Sequence, residues 1–241
     1  MQNPLLNPDY EEGLEQLGVT LTDVLRLPPE QQVKVVKLLQ DYREATLFER
    51  ARNSFIDFLR YMWSEIEAGP FIEGPHHRKL GEALDRVASG QCKRLIVTLP
   101  PRHTKSVCVS KALPLYFLGR HPHAQIIQSS NVYGLAQKFG RTVRDAIKSP
   151  KFRALFPEIE LSSSSSAAGE WGVSTGGEYF AVGVGGAVAG RGAHLFVVDD
   201  PHTDDEGALG LFRPEVFNFA YDWYKTAPLQ RLQPGGAIVV C

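Results

Sequence analysis

Two pairs of polar residues, one near the middle of the chain and one later, have the chemistry of a phosphate site. Lys105 and Ser106 follow a short loop that contains two prolines, and Asp199 and Asp200 follow an apolar run. A lysine ammonium neutralises phosphate oxygens, and hydroxyl and carboxylate oxygens are the ligands that Mg²⁺ prefers. The four residues indicate a site for a nucleoside triphosphate with magnesium, provided that the fold brings the two pairs together.

Short runs rich in valine and isoleucine predict the strands that position these pairs, because such runs are typical of parallel strands buried on both faces. The predicted strands are 94–99, 124–129, 195–198 and 237–240. The predicted helices are 105–118, 133–149 and 213–229. This alternation indicates an α/β fold with a mainly parallel central sheet flanked by helices. Ligands of such sheets bind at the carboxyl edge of the strands, so both polar pairs are expected at one crevice.

The segment from Pro100 to Ser106 lies between a predicted strand and a predicted helix, which is the setting of a P-loop. Phosphate oxygens would accept hydrogen bonds from N–H groups at the helix N-terminus, where the helix dipole favours anions. The usual pattern G-x-x-x-x-G-K-[ST] has two glycines, and Leu99 and Thr104 stand at those positions. A β-branched residue adopts a positive φ only at a cost, so the loop has to tolerate Thr104.

The residues of the two pairs have expected roles in the hydrolysis of a phosphoanhydride. Lys105 is expected to contact the β- and γ-phosphates, and Ser106 and Asp199 to hold Mg²⁺. Asp200 is expected to orient or deprotonate the attacking water. Arg102 lies in the same loop and could contact the γ-phosphate within its own chain.

The remaining segments are assigned by their composition and hydrophobic periodicity. Residues 1–54 are predicted to form a helical arm, with a long helix opened by Pro28-Pro29, and residues 55–241 the P-loop domain. A further helix is expected to end near Gly69. The serine run 162–166 and the glycine-rich stretch 175–192 are predicted to form loops or hairpins. The acidic residues 204–206 are predicted to form a solvated loop.

The composition is that of a globular protein rather than a disordered or fibrous one. The chain has 241 residues, of which 43% are hydrophobic and 22% charged, and its formal net charge is −1. Nearly balanced charge gives no reason for tight, indiscriminate binding of nucleic acid. The three isolated cysteines indicate a reducing compartment such as the cytoplasm. No apolar run approaches the length that crosses a bilayer, so no membrane association is expected.

Three arginines are candidates for contacts outside the immediate loop. Arg191 lies between Gly190 and Gly192, a flexible setting that suits an arginine finger reaching a neighbouring subunit's phosphate. Arg141 and Arg144 lie on a predicted basic helix and are alternatives for that role. That helix also suits contacts with a DNA backbone, which we expect to be weak and salt-dependent.

Four blocks of sequence, in order, resemble the N-terminal ATPase domain of phage large terminase subunits, the motors that package DNA into proheads. The blocks are KRLIVTLPPRHTKS, QIIQSSNVYGLAQKFGRTVRDAIKSPKFRALFP, GEYFAVGVGGAVAGRGAHLFVVDDPH and DWYKTAPLQRLQPGGAIVV. The first is similar to the family's variant Walker A motif, in which Pro-Pro-Arg-His commonly replaces the first glycine. The third is similar to the segment that leads into Walker B. Many relatives end Walker B with Asp-Glu, whereas this chain has Asp199-Asp200.

The resemblance implies an ATPase that moves double-stranded DNA into the prohead, with ATP and Mg²⁺ bound at the P-loop. It implies ATP contacts from Arg102, His103 and Thr104, and an adenine contact from His77. It also implies a homo-oligomeric ring, the portal protein and the small terminase subunit as partners, and the host cytoplasm as location. The family's C-terminal nuclease domain is expected to be absent from this chain, so no nuclease activity is expected.

Two other functions stay open on the sequence. A helicase-like or recombination ATPase would share the P-loop and Walker B motifs but would need further motifs in a second motor domain. A catalytically weak assembly module would keep the fold while Thr104 reduces catalysis. Binding of nucleotide by this chain would separate the second alternative from an active ATPase.

Overall fold

The computed structural model describes residues 10–16 and 18–241, so residues 1–9 and 17 of the predicted arm lie outside the described residues. The chain divides into two compact units, Met1–Asn53 and Ser54–Cys241. The described part of the first unit contains α1 (Glu11–Gln16), α2 (Leu21–Leu25) and α3 (Pro29–Asn53). A small buried cluster is formed by Tyr10, Leu14, Val24 and Leu39. The long helix begins at Pro29, where the missing proline N–H costs nothing because the first helical N–H has no partner within the helix.

The second unit contains one sheet that, over the described residues, has seven strands in the order β1-β7-β6-β2-β5-β4-β3. The strands are β1 (Arg94–Ile96), β2 (Gln125–Ser130), β3 (Leu161–Ala167), β4 (Glu170–Val173), β5 (Glu178–Gly183), β6 (Ala193–Asp199) and β7 (Leu232–Val240). The five strands β1, β7, β6, β2 and β5 are parallel, and β4 and β3 add an antiparallel end. The α/β class with a mainly parallel central sheet, predicted from the sequence, is confirmed.

Helices cover both faces of this sheet. They are α4 (Phe55–Ile66), α5 (Pro75–Ala88), α6 (Leu113–Arg120), α7 (Tyr133–Ile147), α8 (Pro150–Leu155), α9 (Asp204–Gly210), α10 (Asn218–Thr226) and α11 (Pro228–Arg231), with a π-helix at Val107–Ala112 and a 3-10 helix at Pro214–Phe217. Trp223 of α10 packs with Phe196 on one face. On the other face the Tyr179 hydroxyl donates to the Ala136 carbonyl of α7. Among the described residues, no helix is long and apolar enough to cross a membrane.

Two local predictions are wrong. Residues 204–206 are not a solvated loop but begin α9, because Thr203 caps that helix. The Thr203 hydroxyl accepts a hydrogen bond from the Glu206 N–H, and the Glu206 carboxylate accepts one from the Thr203 N–H. The predicted helix 213–229 is divided into the 3-10 helix, α10 and α11, and the division between α10 and α11 lies at Pro228, which has no N–H to donate within a continuous helix.

Candidate nucleotide site

The site is built at the carboxyl edge of the sheet, where β1 passes through a short loop into a helix. Helical residues run from 105 to 120 without a break, so Lys105 and Ser106 form the start of the helix. In the loop, Arg102 has φ +64° and Thr104 has φ +60°. Left-handed backbone at residues other than glycine costs on the order of 1–3 kcal/mol each and is concentrated at functional sites. The loop is therefore held in a geometry that an isolated peptide would avoid.

Asp199, the last residue of β6, is a fully buried carboxylate with 0% of its surface exposed. Three side chains donate to it: the Ser106 hydroxyl to Oδ1 at 3.2 Å, the Ser110 hydroxyl to Oδ2 at 2.8 Å and the Cys241 thiol to Oδ1 at 3.0 Å. Burial, followed by the charge of Asp199, raises the pKa of the Cys241 thiol, so the thiol keeps its proton and remains a donor. The carboxylate thus fastens the helix that starts at the loop to the end of β6.

Asp200 lies beside Asp199 but faces the solvent. Its Oδ1 accepts a hydrogen bond from Lys105 Nζ at 2.6 Å, and its side chain is 53% exposed. Its backbone has φ +43° and is held on both sides, because its N–H donates to the Cys241 carbonyl and its carbonyl accepts from the Asn131 N–H. Burial opposes the charge on Lys105, but the hydrogen bond to Asp200 and the nearby negative charges, among them Asp199, together outweigh it, so the pKa of Lys105 lies above its ordinary value. Lys105 is therefore a protonated cation at neutral pH.

His77, near the start of α5, lies against the loop and is only 3% exposed. Its Nδ1 accepts a hydrogen bond from the Gly74 N–H at 2.9 Å, and its Nε2 lies 2.7 Å from the Thr104 hydroxyl oxygen. His103 hydrogen-bonds through Nδ1 to the Pro101 carbonyl at 3.0 Å, and Arg102 is exposed. All three residues lie at the loop, but their contacts with ATP stay predictions.

The structure does not bring Arg191 into this group. Its guanidinium pairs with Glu170 of β4 at 2.8 Å and lies over the Phe180 ring of β5, 3.8 Å from the ring centroid. A finger that acts on a neighbouring subunit would first have to leave these contacts. Arg141 and Arg144 both lie on α7, where Arg141 is exposed and Arg144 pairs with Asp145.

The residues present fit a magnesium ion that binds together with nucleotide. Among the described residues, no group of three or more His, Cys, Asp and Glu side chains is placed to hold a metal by itself. Mg²⁺ commonly takes one or two carboxylates and completes its shell with water and substrate phosphates. Ser106 and Asp199 offer such a partial set of oxygen ligands, and Asp200 adds a second carboxylate at the same edge.

Sequence reasoning missed two members of this group, Ser110 and Cys241. Ser110 lies four residues after Ser106, so both serines face β6 from one side of the helix. That spacing is visible in the sequence and could have indicated Ser110. The contact of Cys241 depends on the pairing of β6 with β7, which the sequence alone did not reveal.

Comparisons with known proteins give little beyond this geometry. No family model matches the chain. No curated protein matches it. The crystal structure of the HK97 bacteriophage large terminase aligns with 75% of this chain and 36% of its own chain, at 15% sequence identity and a TM-score of 0.43. This chain therefore spans about a third of that protein, and a likeness of this size supports no conclusion about activity.

Proposed function

We propose that the chain is an ATP hydrolase whose site is formed by the 100–106 loop and the end of β6. One observation supports this most strongly. Lys105 and Ser106 start a helix at the carboxyl edge of a parallel sheet, and they meet Asp200 at 2.6 Å and Asp199 at 3.2 Å. A cation, a hydroxyl, two carboxylates and a helix N-terminus at one point are the parts that phosphoryl transfer needs.

The burial of each residue indicates the role that it would have in hydrolysis. Lys105 is a protonated cation that can leave Asp200 for phosphate oxygens, since the Asp200 side chain is half exposed. Asp199 is fixed by its donors and would hold Mg²⁺ together with Ser106. When bound, Mg²⁺ would neutralise charge on the phosphates. Asp200 faces the solvent, so its carboxylate can orient an attacking water or take its proton.

We further propose that this hydrolase is the motor domain of a DNA-packaging terminase. The support is the ordered series of sequence blocks that resemble that family, from the first predicted strand to the last. Double-stranded DNA, a portal protein and a small terminase subunit are the partners that this proposal implies, in a ring of identical subunits. Exposed Arg141 on α7 suits a weak, salt-dependent contact with a DNA backbone.

A catalytically weak assembly module is the second candidate, and the φ of +60° at Thr104 favours it. In this case the chain would bind nucleotide poorly and turn it over at a negligible rate. The helicase-like alternative would share the site with the terminase proposal, so only assays with DNA and packaging partners separate these two.

Hydrolysis of ATP by the purified chain, compared with two lysine variants, tests the proposal. Lys105→Ala should remove the Mg²⁺-dependent activity. Lys111→Ala is the matched control, because Lys111 lies in the same helical run, is similarly buried and pairs with Glu67 at 2.7 Å, away from the loop. Equal activity of the two variants would refute the assignment, and no activity in the unsubstituted chain would favour the assembly module.

A further inference from the structure

We propose that His77 is a positioning residue of the phosphate-binding loop. His77 holds the Thr104 hydroxyl and so stabilises the positive φ that a glycine before Lys105 would adopt without help. The inference rests on the nucleotide site proposed above. It assigns His77 a role through the loop backbone rather than a contact with the adenine base.

The hydrogen bonds around His77 form a directed series. The Gly74 N–H can only donate, so Nδ1 of the neutral ring accepts at 2.9 Å and the ring proton lies on Nε2. Nε2 then donates to the Thr104 oxygen at 2.7 Å. The Thr104 hydroxyl in turn donates to the His103 carbonyl at 2.6 Å. Each atom in the series has a partner, and the series ends on the loop backbone.

The loop requires such a restraint because of its backbone. Thr104 has φ +60°, and a β-branched residue in this region is strained by contacts of its Cβ. Glycine adopts the same φ without strain. Without a bond to its hydroxyl, Thr104 would relax towards negative φ and move the N–H groups of the helix start. The bond from His77 opposes this relaxation.

His77 is itself held firmly enough to act as a restraint. Its ring lies 3.9 Å from the His76 ring and 5.0 Å from the Phe71 ring, between centroids. Burial, followed by the charge of His76, lowers the pKa of His77, so the ring is neutral at pH 7 and its Nδ1 can accept. Both ring nitrogens are engaged by the protein, which leaves neither of them for a base.

A double-mutant cycle separates the two roles by measuring equilibrium affinity for ATP and for inorganic tripolyphosphate, without turnover. In the Thr104 background, His77→Ala should lower the affinity for both ligands about 3- to 10-fold, since one hydrogen bond is lost. In the Thr104→Gly background, His77→Ala should change either affinity by less than about 2-fold, because glycine needs no restraint. His123→Ala, an exposed histidine elsewhere, should change neither.

The outcomes are distinguishable. Loss of ATP affinity with unchanged tripolyphosphate affinity would assign His77 to adenine and overturn the inference. Equal losses of affinity in the Thr104 and Thr104→Gly backgrounds would overturn it as well. That result is also the one expected if His77→Ala only damages folding. His77→Gln, which can place an amide donor near the Nε2 position, should retain more affinity than His77→Asn. Absence of binding to the unsubstituted chain would refute the proposed nucleotide site and the inference with it.

Discussion

The two edges of the parallel sheet differ in the chemistry of the side chains that they carry. At the carboxyl edge, Lys105 and Asp200 form an ion pair beside the buried Asp199. At the amino edge, a cavity of about 440 Å³ lies near the starts of β2 and β6. Histidines, including His121 and His194, line this cavity, and the described residues around it include no carboxylate side chain.

The histidines of the amino edge form hydrogen bonds with backbone groups. His121 Nε2 donates to the Ala88 carbonyl at 2.7 Å, and His194 Nδ1 accepts from the Gln125 N–H at 3.0 Å. Opposite charges at the carboxyl edge, in contrast, can exchange their partners for a ligand. Cavity volume alone does not indicate a reactive site. A cation and a carboxylate within hydrogen-bond distance of one another, with a second carboxylate bonded to the serine at the start of the same helix, are stronger evidence for one.

The largest expected difference between the edges is in turnover. Lys105→Ala should lower the rate of ATP hydrolysis by roughly 10³-fold, because it removes the cation that would face the phosphates in the proposed site. His123→Ala, at the amino-edge cavity, should leave the rate within about 2-fold of the unsubstituted chain. Steady-state hydrolysis with thermal unfolding as a check on folding measures both. Comparable losses from the two variants would remove the distinction between the edges.

The second prediction separates binding from chemistry at the carboxyl edge. Asp200→Asn should lower hydrolysis by about 10²-fold, because a neutral amide cannot accept the proton of water. Affinity for Mg²⁺-ATP should stay the same or increase, because Ser106 and Asp199 remain for Mg²⁺ and Lys105 loses the carboxylate that binds it at 2.6 Å. Calorimetric titration and single-turnover hydrolysis test the two halves. A rate unaffected by the substitution would exclude Asp200 as the base.

The third prediction concerns stability around Asp199. Ser110→Ala removes a buried bond to a carboxylate, 2.8 Å long, and should lower the free energy of unfolding by about 1.5–3 kcal/mol. Ser129→Ala is the matched control, because Ser129 is also buried but donates to the Val197 carbonyl, at 3.2 Å. Ser129→Ala should lower the free energy of unfolding by about 0.5–1.5 kcal/mol. Urea unfolding gives both values, and an equal or reversed order would contradict the role assigned to Asp199.

The smallest expected effect is a response to acid at both edges. Burial, the larger cause in each case, lowers the pKa of His77 and of His194. The unfolded chain then binds more protons than the folded one, so the free energy of unfolding falls as pH decreases through 6.5. His77→Gln and His194→Gln should each flatten this pH dependence of the free energy of unfolding between pH 7 and pH 5.5. An unchanged slope would show that the two histidines are not its source. The titratable neighbours of the two rings are His76, Glu73 and His103 for His77, and His121 for His194.

Much of the fold follows from the valine and isoleucine runs, but one central strand does not. The predicted strands 94–99, 124–129 and 195–198 coincide with β1, β2 and β6 to within three residues, and 237–240 is the last part of β7, which begins five residues earlier. The strand β5 lies inside the glycine-rich stretch 175–192, which predicts a loop or hairpin. It forms because Tyr179 stacks on Trp171 of β4, with centroids 4.8 Å apart, and because β2 pairs along its length. The local sequence EYFAVG also contains Tyr, Phe and Val, which strands favour, and the glycines around it concealed that signal.

The site was predictable where topology alone decides it. Parallel strands end at one edge, so the meeting of the Lys105 pair with the Asp199 pair could be expected from spacing. The bond from His77 to the Thr104 hydroxyl could not, because it depends on the approach of α5 to the loop. The Thr203 cap was visible as Thr-x-x-Glu, and its neglect caused the wrong loop prediction for 204–206.

Amide hydrogen exchange with and without Mg²⁺-ATP tests the central claim most directly, because it compares both edges in one sample. The account predicts slower exchange in residues 100–106 and in the segment around Asp199 and Asp200. It predicts no change in residues 120–124 and 234–237, which line the amino-edge cavity. Lys105→Ala should remove the protection at the carboxyl edge. Protection confined to the amino edge, or none at residues 100–106 under saturating nucleotide, would contradict the account.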